Sequence, residues 1–220
     1  TYGKGIIKYT HTKNGTQDHT FSIYTKSNGL VHNNILCLIE DKHGNIWAGS
    51  DGSGISCLKM KNENDIYIEN YTTTHGLANN TVLCMAEDKR GALWFGTQEG
   101  VSRFEIYGVK KNENSILNNK PKAQTAAFTS YTVEQGLSNN IIRSIIEDKS
   151  GNIWLSTYGG GINRYNGKAF INYTKQQGLP GNVIWSILED SKENIWLGTN
   201  NNGVSCFDGN TFKNYTIQQG

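Results

Sequence analysis

Long apolar runs are missing from this chain of 220 residues. No window approaches the roughly 18 consecutive apolar residues of a membrane-crossing helix, and the start has no signal-peptide character. The expectation is a chain soluble as it stands, any export signal or membrane anchor lying outside it. Charge of one sign is missing too. Lys and Arg total 21 against 19 Asp and Glu, a net +2 with no basic stripe, so nucleic acid is not an expected partner. The 4 cysteines show neither C-x-x-C spacing nor a His/Cys cluster. No metal site, no disulfide framework and no cofactor is therefore expected, and cysteine usage does not report the compartment. No linker interrupts the interior, so residues 1–220 read as one domain.

Self-similarity is what the chain has in abundance. Gly-Leu pairs at Gly29, Gly76, Gly136 and Gly178, with Gly220 where another would begin, are spaced by 47, 60, 42 and 42 residues. The base unit is 42 residues, and two copies carry insertions. Each unit holds four short apolar runs. The first (Ile35, Val82, Ile142 and Ile184 onward) ends in Glu-Asp and a turn such as DKHGN; the second carries Trp47, Trp94, Trp154 or Trp196. The third follows a Gly-rich loop, and the fourth is an F-x-x-Y-T pattern such as Phe170 to Thr174. Short β-branched and aromatic runs bounded by Gly, Asn and Asp are strands. Four strands per repeat of about 40–50 residues is the pattern of a β-propeller blade.

The fold class is therefore all-β, a β-propeller of four-stranded blades. The chain divides into a half blade at 1–28 and blades at 29–75, 76–135, 136–177 and 178–219, about four and a half in all. TYGKGIIKY at the start aligns with TYGGGINRY at Thr157 to Tyr165, which places the entry point at the end of a second strand. The extra residues KMKNENDIY fall between strands three and four of the first full blade, and a segment near 108–127 is expected to be a surface loop.

Residues repeated in every copy are assigned to the scaffold. Trp47, Trp94, Trp154 and Trp196 pack blade on blade, the Glu-Asp pairs cap turns, and Asn33, Asn80, Asn140 and Asn182 hold the loop entering strand one. Cys37 and Cys84 share a column with Ser144 and Ser186, the place of a small residue. The N-Y-T triplets at Asn70, Asn172 and Asn214 come from the fourth-strand repeat and carry little weight as glycosylation acceptors.

The units GLSNNIIRSIIEDKSGNIWLSTYGGGINRYNGKAFINYT and GLPGNVIWSILEDSKENIWLGTNNNGVSCFDGNTFKNYT resemble the two-component regulator propeller repeat. The resemblance spans nearly all of the chain outside the 108–127 insertion. It implies a fragment of a seven-bladed ring from the periplasmic sensor region of a hybrid two-component histidine kinase, an inner-membrane protein that detects glycan fragments. Membrane helix and kinase would then lie outside this chain.

Ligand-specific residues need not repeat, so the informative positions differ within a shared column. The loops from strand four to strand one and from strand two to strand three should share a face around the channel, where ligands dock. The candidates there are His32, Asp51, Gln98, Arg143, Tyr158, Trp185 and Asn200. Arg143 beside Trp185 is the sharpest pair, a carboxylate reader next to a stacking platform, suited to an oligosaccharide. Two other classes compete. A streptogramin-lyase-like enzyme needs a converging acid and base, and of five histidines His32 alone is suitably placed, His11, His19, His43 and His75 falling in turns or loop ends. A scaffold for protein partners is the other, and unpaired strand edges at both ends predict self-association.

Overall fold

The computed structural model describes residues 3–11, 19–62, 65–107 and 125–219. Strands β1 (Ile6–His11) and β2 (His19–Tyr24) form a two-stranded antiparallel sheet. Four four-stranded sheets follow. The first is β3 (Ile35–Glu40), β4 (Ile46–Ser50), β5 (Ile55–Asn62) and β6 (Asp65–Tyr71). The second is β7 (Val82–Glu87), β8 (Leu93–Thr97), β9 (Gly100–Tyr107) and β10 (Thr125–Tyr131). The third is β11 (Ile142–Glu147), β12 (Ile153–Thr157), β13 (Ile162–Tyr165) and β14 (Phe170–Tyr173). The fourth is β15 (Ile184–Glu189), β16 (Ile195–Thr199), β17 (Val204–Phe207) and β18 (Phe212–Tyr215). Strands pair in sequence order within each sheet, and the first strands of successive sheets stand side by side as an inner wall. These are propeller blades.

The first insertion differs in form from a simple loop. In the first full blade the extra residues lengthen β5 and β6, with Lys59 paired to Tyr67 and Met60 to Ile66. Alternation of Leu58 and Met60 with Ile66 and Ile68 lets the hairpin continue beyond the blade edge. In the second, β9 runs to Tyr107 and β10 begins at Thr125; the expected surface loop between them lies outside the described residues. So does the polar stretch 12–18 of the half blade. His19 opens strand β2, not a loop, and its Nδ1 meets Tyr9 Oη at 2.6 Å.

Aromatic rings join one blade to the next. Trp47 stacks on Tyr71 of its own blade and meets Phe104 of the following blade edge-on; Trp94 does the same with Tyr131 and Tyr165, and Trp154 with Tyr173 and Phe207. All three Trp are buried to within 2%. Trp196, in the last sheet, stacks on Tyr215 and stays partly open. The apolar Phe21 and Ile23 of the two-stranded sheet remain exposed.

The E-D-K run is a three-part tie. Asp41 Oδ1 accepts the backbone N–H of His43 and Asn45, closing its own turn, while Oδ2 accepts Asn45 Nδ2 and Trp47 Nε1. Asp88, Asp148 and Asp190 likewise accept Trp94, Trp154 and Trp196 Nε1 at 3.0, 2.8 and 2.9 Å. The Glu serves the preceding blade: Glu87, Glu147 and Glu189 accept the backbone N–H of Lys42, Lys89 and Lys149. Those lysines reach forward, Lys89 Nζ donating to the carbonyls of Asp148 and Lys149. Within the Glu-Asp pair, therefore, the Asp alone caps its own turn.

Burial raises the Asp41 pKa, but the bonds from Trp47, Asn45 and His43 outweigh it and hold the carboxyl below its ordinary value. Asp190 is lowered too, chiefly by Trp196 and Asn194. A carboxylate depressed in the fold contributes stability that is complete above its unfolded pKa, about 3.9, and lost as pH falls through the folded value. Urea midpoints should hold between pH 7 and about 5 and fall progressively below about 4. A loss centred near pH 6.5 would instead implicate histidine.

Each connection from strand four to strand one contains a single 3₁₀ turn, at 26–28, 73–75, 133–135 and 175–177. Thr72, Thr132 and Thr174 Oγ1 cap these turns by accepting a backbone N–H two residues on. The Gly-Leu glycines end them with φ of 100–109°, a left-handed conformation that accounts for Gly there. The following Leu30, Leu77, Leu137 and Leu179 are buried.

Candidate functional site

The loop-bearing face is built by cross-blade backbone bonds. Gly54, Gly100 and Gly161, just before or at the start of strand three, donate their N–H to the carbonyls of Asn80, Asn140 and Asn182 in the next blade's entry loop. The side chains of those asparagines, and of Asn33, accept the N–H of Thr73, Val133, Lys175 and Lys26. One column thus fixes the entry loop twice. The fourth-strand Asn70, Asn172 and Asn214 donate Nδ2 to the carbonyls of Gly29, Gly136 and Gly178, pinning the same loop from outside.

At the inner wall the ladder slips at one position in every full blade: between Ile35 and Cys37, Val82 and Cys84, Ile142 and Ser144, Ile184 and Ser186. The residues left without ladder partners are Leu36, Leu83, Arg143 and Trp185. A bulge bends the strand and re-aims the extra side chain. The column that varies in sequence is therefore the one the backbone sets free.

In the third and fourth blades this produces a cluster. The Arg143 guanidinium carbon lies 4.7 Å from the Trp185 ring centre and 5.3 Å from that of Tyr158, and the two rings meet edge to face at 5.8 Å. Tyr158 and Trp185 are 43% and 44% exposed, so the rings remain reachable. Tyr158 is carried on a loop tied at both ends: its N–H donates to Ile141, it bridges Val183, and Gly159 donates to Asn182. Gly160 allows this close approach, since a Cβ there would stand 2.7 Å from the Ser138 carbonyl carbon.

The other four candidates are spread over neighbouring loops. Asp51, Gln98 and Asn200 are exposed and occupy the place of Tyr158 in their own blades, each donating its backbone N–H to the residue before strand one. His32 acts within its own loop, where its Nδ1 accepts the Asn34 N–H, as Asn79 and Asn139 Oδ1 accept Thr81 and Ile141 N–H in the same column. His75 belongs to the 3₁₀ turn of an entry connection, and its Nδ1 accepts the Thr72 N–H.

No group of three or more His, Cys, Asp or Glu placed to hold a metal occurs among the described residues. The cysteines are free thiols; burial pushes Cys37 and Cys57 up to about 12, and Cys37 Sγ donates to the Val82 carbonyl of the next blade. A small polar cleft of about 120 Å³ lies at the turn end between the second and third full blades, lined by scaffold residues including Asp88, Trp94 and Glu147. It is remote from the varying column.

A wall of bulged first strands, an Asp–Trp bond within each blade, and loops shared between neighbours define an all-β propeller array. The two component regulator propeller family matches residues 29–52, 76–99, 136–159 and 178–201, the entry loop and first two strands of each full blade, and the chain is similar to that family there. Among solved structures it is similar to the extracellular domain assigned to a hybrid two component system of B. thetaiotaomicron. Identity there is 25% over 100% of this chain and 28% of that one, with a TM-score of 0.69. A second B. thetaiotaomicron extracellular domain, assigned to a one component system, is 21% identical over 98% of this chain and 29% of that one, TM-score 0.69. Virginiamycin B lyase from Staphylococcus aureus shares the fold at 19% identity over 84% of this chain and 56% of that one, TM-score 0.57. The chain thus spans under a third of the length of the two extracellular domains. No curated protein sequence matches it. No helix among the described residues is long and apolar enough to cross a membrane.

Proposed function

We propose that the chain is part of the extracytoplasmic sensor of a two-component signalling protein and binds an oligosaccharide on its loop-bearing face without transforming it. The observation that carries this reading is the Arg143–Tyr158–Trp185 cluster, with Arg143 and Trp185 on bulged inner-wall positions and Tyr158 on the adjoining loop, where the scaffold repeats but the readers differ. Exposed aromatic faces suit the C–H faces of sugars, and Asn200 and Gln98 on the same face supply hydrogen-bonding groups. The likeness to extracellular domains of signalling proteins supports the compartment. A membrane segment and an output kinase would lie outside these residues. Ligand binding would then act by its differential affinity for two arrangements of the whole sensor.

Calorimetric titration of the chain with short oligosaccharides tests this. Saturable binding is expected, weakened roughly 10- to 100-fold by Trp185→Ala, the range for losing one aromatic anchor. Binding that ignores Trp185 and Tyr158 would move the site elsewhere on the array.

A further inference from the structure

We propose that the ligand of this site is an anionic sugar, a uronate or sulfated oligosaccharide whose acid group is held by Arg143 while a neighbouring sugar ring lies against Trp185. The inference rests on the oligosaccharide reading above and sharpens it.

Arg143 is a cation that the fold leaves unpaired. It makes no ion pair with any described carboxylate, and its Nε is closed from solvent with no hydrogen-bond acceptor. Two aromatic rings stack on its guanidinium. Arg103 shows how this protein treats a structural arginine: it stacks on Trp94 and is neutralised by Asp88 and Glu105. Arg164 occupies that same third-strand column and stacks on Trp154, so its place is set by the repeat even where its Nε also lacks an acceptor. Arg143 has no such precedent. In its column the other blades carry Leu36, Leu83 and Trp185, so the fold asks for no charge there.

Buried polar groups without partners are rare, and one at the mouth of a reachable aromatic cluster calls for an incoming acceptor. The guanidinium stays charged at every working pH and presents planar, forked donors that match a carboxylate or sulfate bidentately. Neutral sugar recognition needs a ring platform and amide side chains, which this face already has. The arginine adds affinity for an oxyanion. Stacking between Tyr158 and Trp185 fixes its plane in advance, which reduces the entropy lost on binding.

The test uses three probes on the 220-residue chain: trigalacturonate, its carboxyl-reduced neutral counterpart, and a sulfated disaccharide of the chondroitin type. Calorimetry is run at low and high salt with wild type, Arg143→Ala, Arg143→Lys and Trp185→Ala. The expected result is that at least one acidic probe binds roughly 10- to 100-fold tighter than the neutral one, the range for a hydrogen-bonded charge pair. Arg143→Ala should abolish that preference, Arg143→Lys should restore part of it, and salt should weaken the acidic probe alone. Which acid binds separates uronate from sulfate. Equal affinity for the neutral probe, with Arg143→Ala silent and Trp185→Ala damaging, would overturn the inference and leave the oligosaccharide reading intact. No binding by any of the three would overturn both.

Discussion

Trp94→Ala is expected to lower the unfolding free energy by about 3–5 kcal/mol, the range for truncating a buried large aromatic. A domain is stable by about 5–15 kcal/mol in total, so this single change should bring the chain close to unfolding. The side chain is 1% exposed and sits where two blades meet, stacked on Tyr131, edge-on to Tyr165 and covered by the Arg103 guanidinium. Its removal also strands the Asp88 carboxylate, which loses a donor at 3.0 Å. Trp196→Ala removes the same residue type from the last sheet, where the ring stacks on Tyr215 and is partly open. Its cost should be clearly smaller. Urea denaturation of both variants measures the difference, and equal losses would mean that the Trp column stabilises each blade from within and does not join blades.

Asp148→Ala is the second large effect, expected at about 2–4 kcal/mol because buried donors left unpaired each cost about 1–3 kcal/mol. The carboxylate is 7% exposed and accepts the Asn152 N–H, Asn152 Nδ2 and Trp154 Nε1 at 2.7–2.8 Å. Asp148→Asn keeps one acceptor but turns an amide NH₂ toward donors, so it should recover a minor part. Asp190→Ala, at the more open end of the array, should cost less, since water can take the place of the carboxylate. Thermal melts of the three variants decide it; a harmless Asp148→Ala would show that the recurring Asp is not a structural anchor.

Strand positions were legible because each blade repeats the same spacing, so one copy reports on the others. The columns also separated scaffold from variation, and Arg143 and Trp185 stood out as large side chains where Leu36 and Leu83 stand elsewhere. Pairing between strands was not legible. The bulge that frees this column is a slip of one residue in register, and both partners look regular in sequence. In sequence the Glu of each Glu-Asp pair is assigned to its own turn, whereas it accepts from the preceding blade's turn, a partner backbone about one repeat away. His32 stands among the candidates, and its ring accepts the N–H two residues on, as an Asn does in two other blades. Sequence columns give a face; they do not say which residues on it touch. That is why three of seven candidates converge and four remain on separate loops.

The indole N–H signals offer the most direct test. The chain has 5 Trp. Four donate Nε1 to the Asp of their own turn, and Trp185 alone stands in the varying column beside Arg143. Titrating ¹⁵N-labelled protein with a binding oligosaccharide should shift one indole resonance, lost in Trp185→Phe, while the other four stay in place. Saturable binding that moves one of the four Asp-bonded indoles and leaves Trp185 still would contradict the account, placing the ligand between blades and making the varying column mere filling of the inner wall.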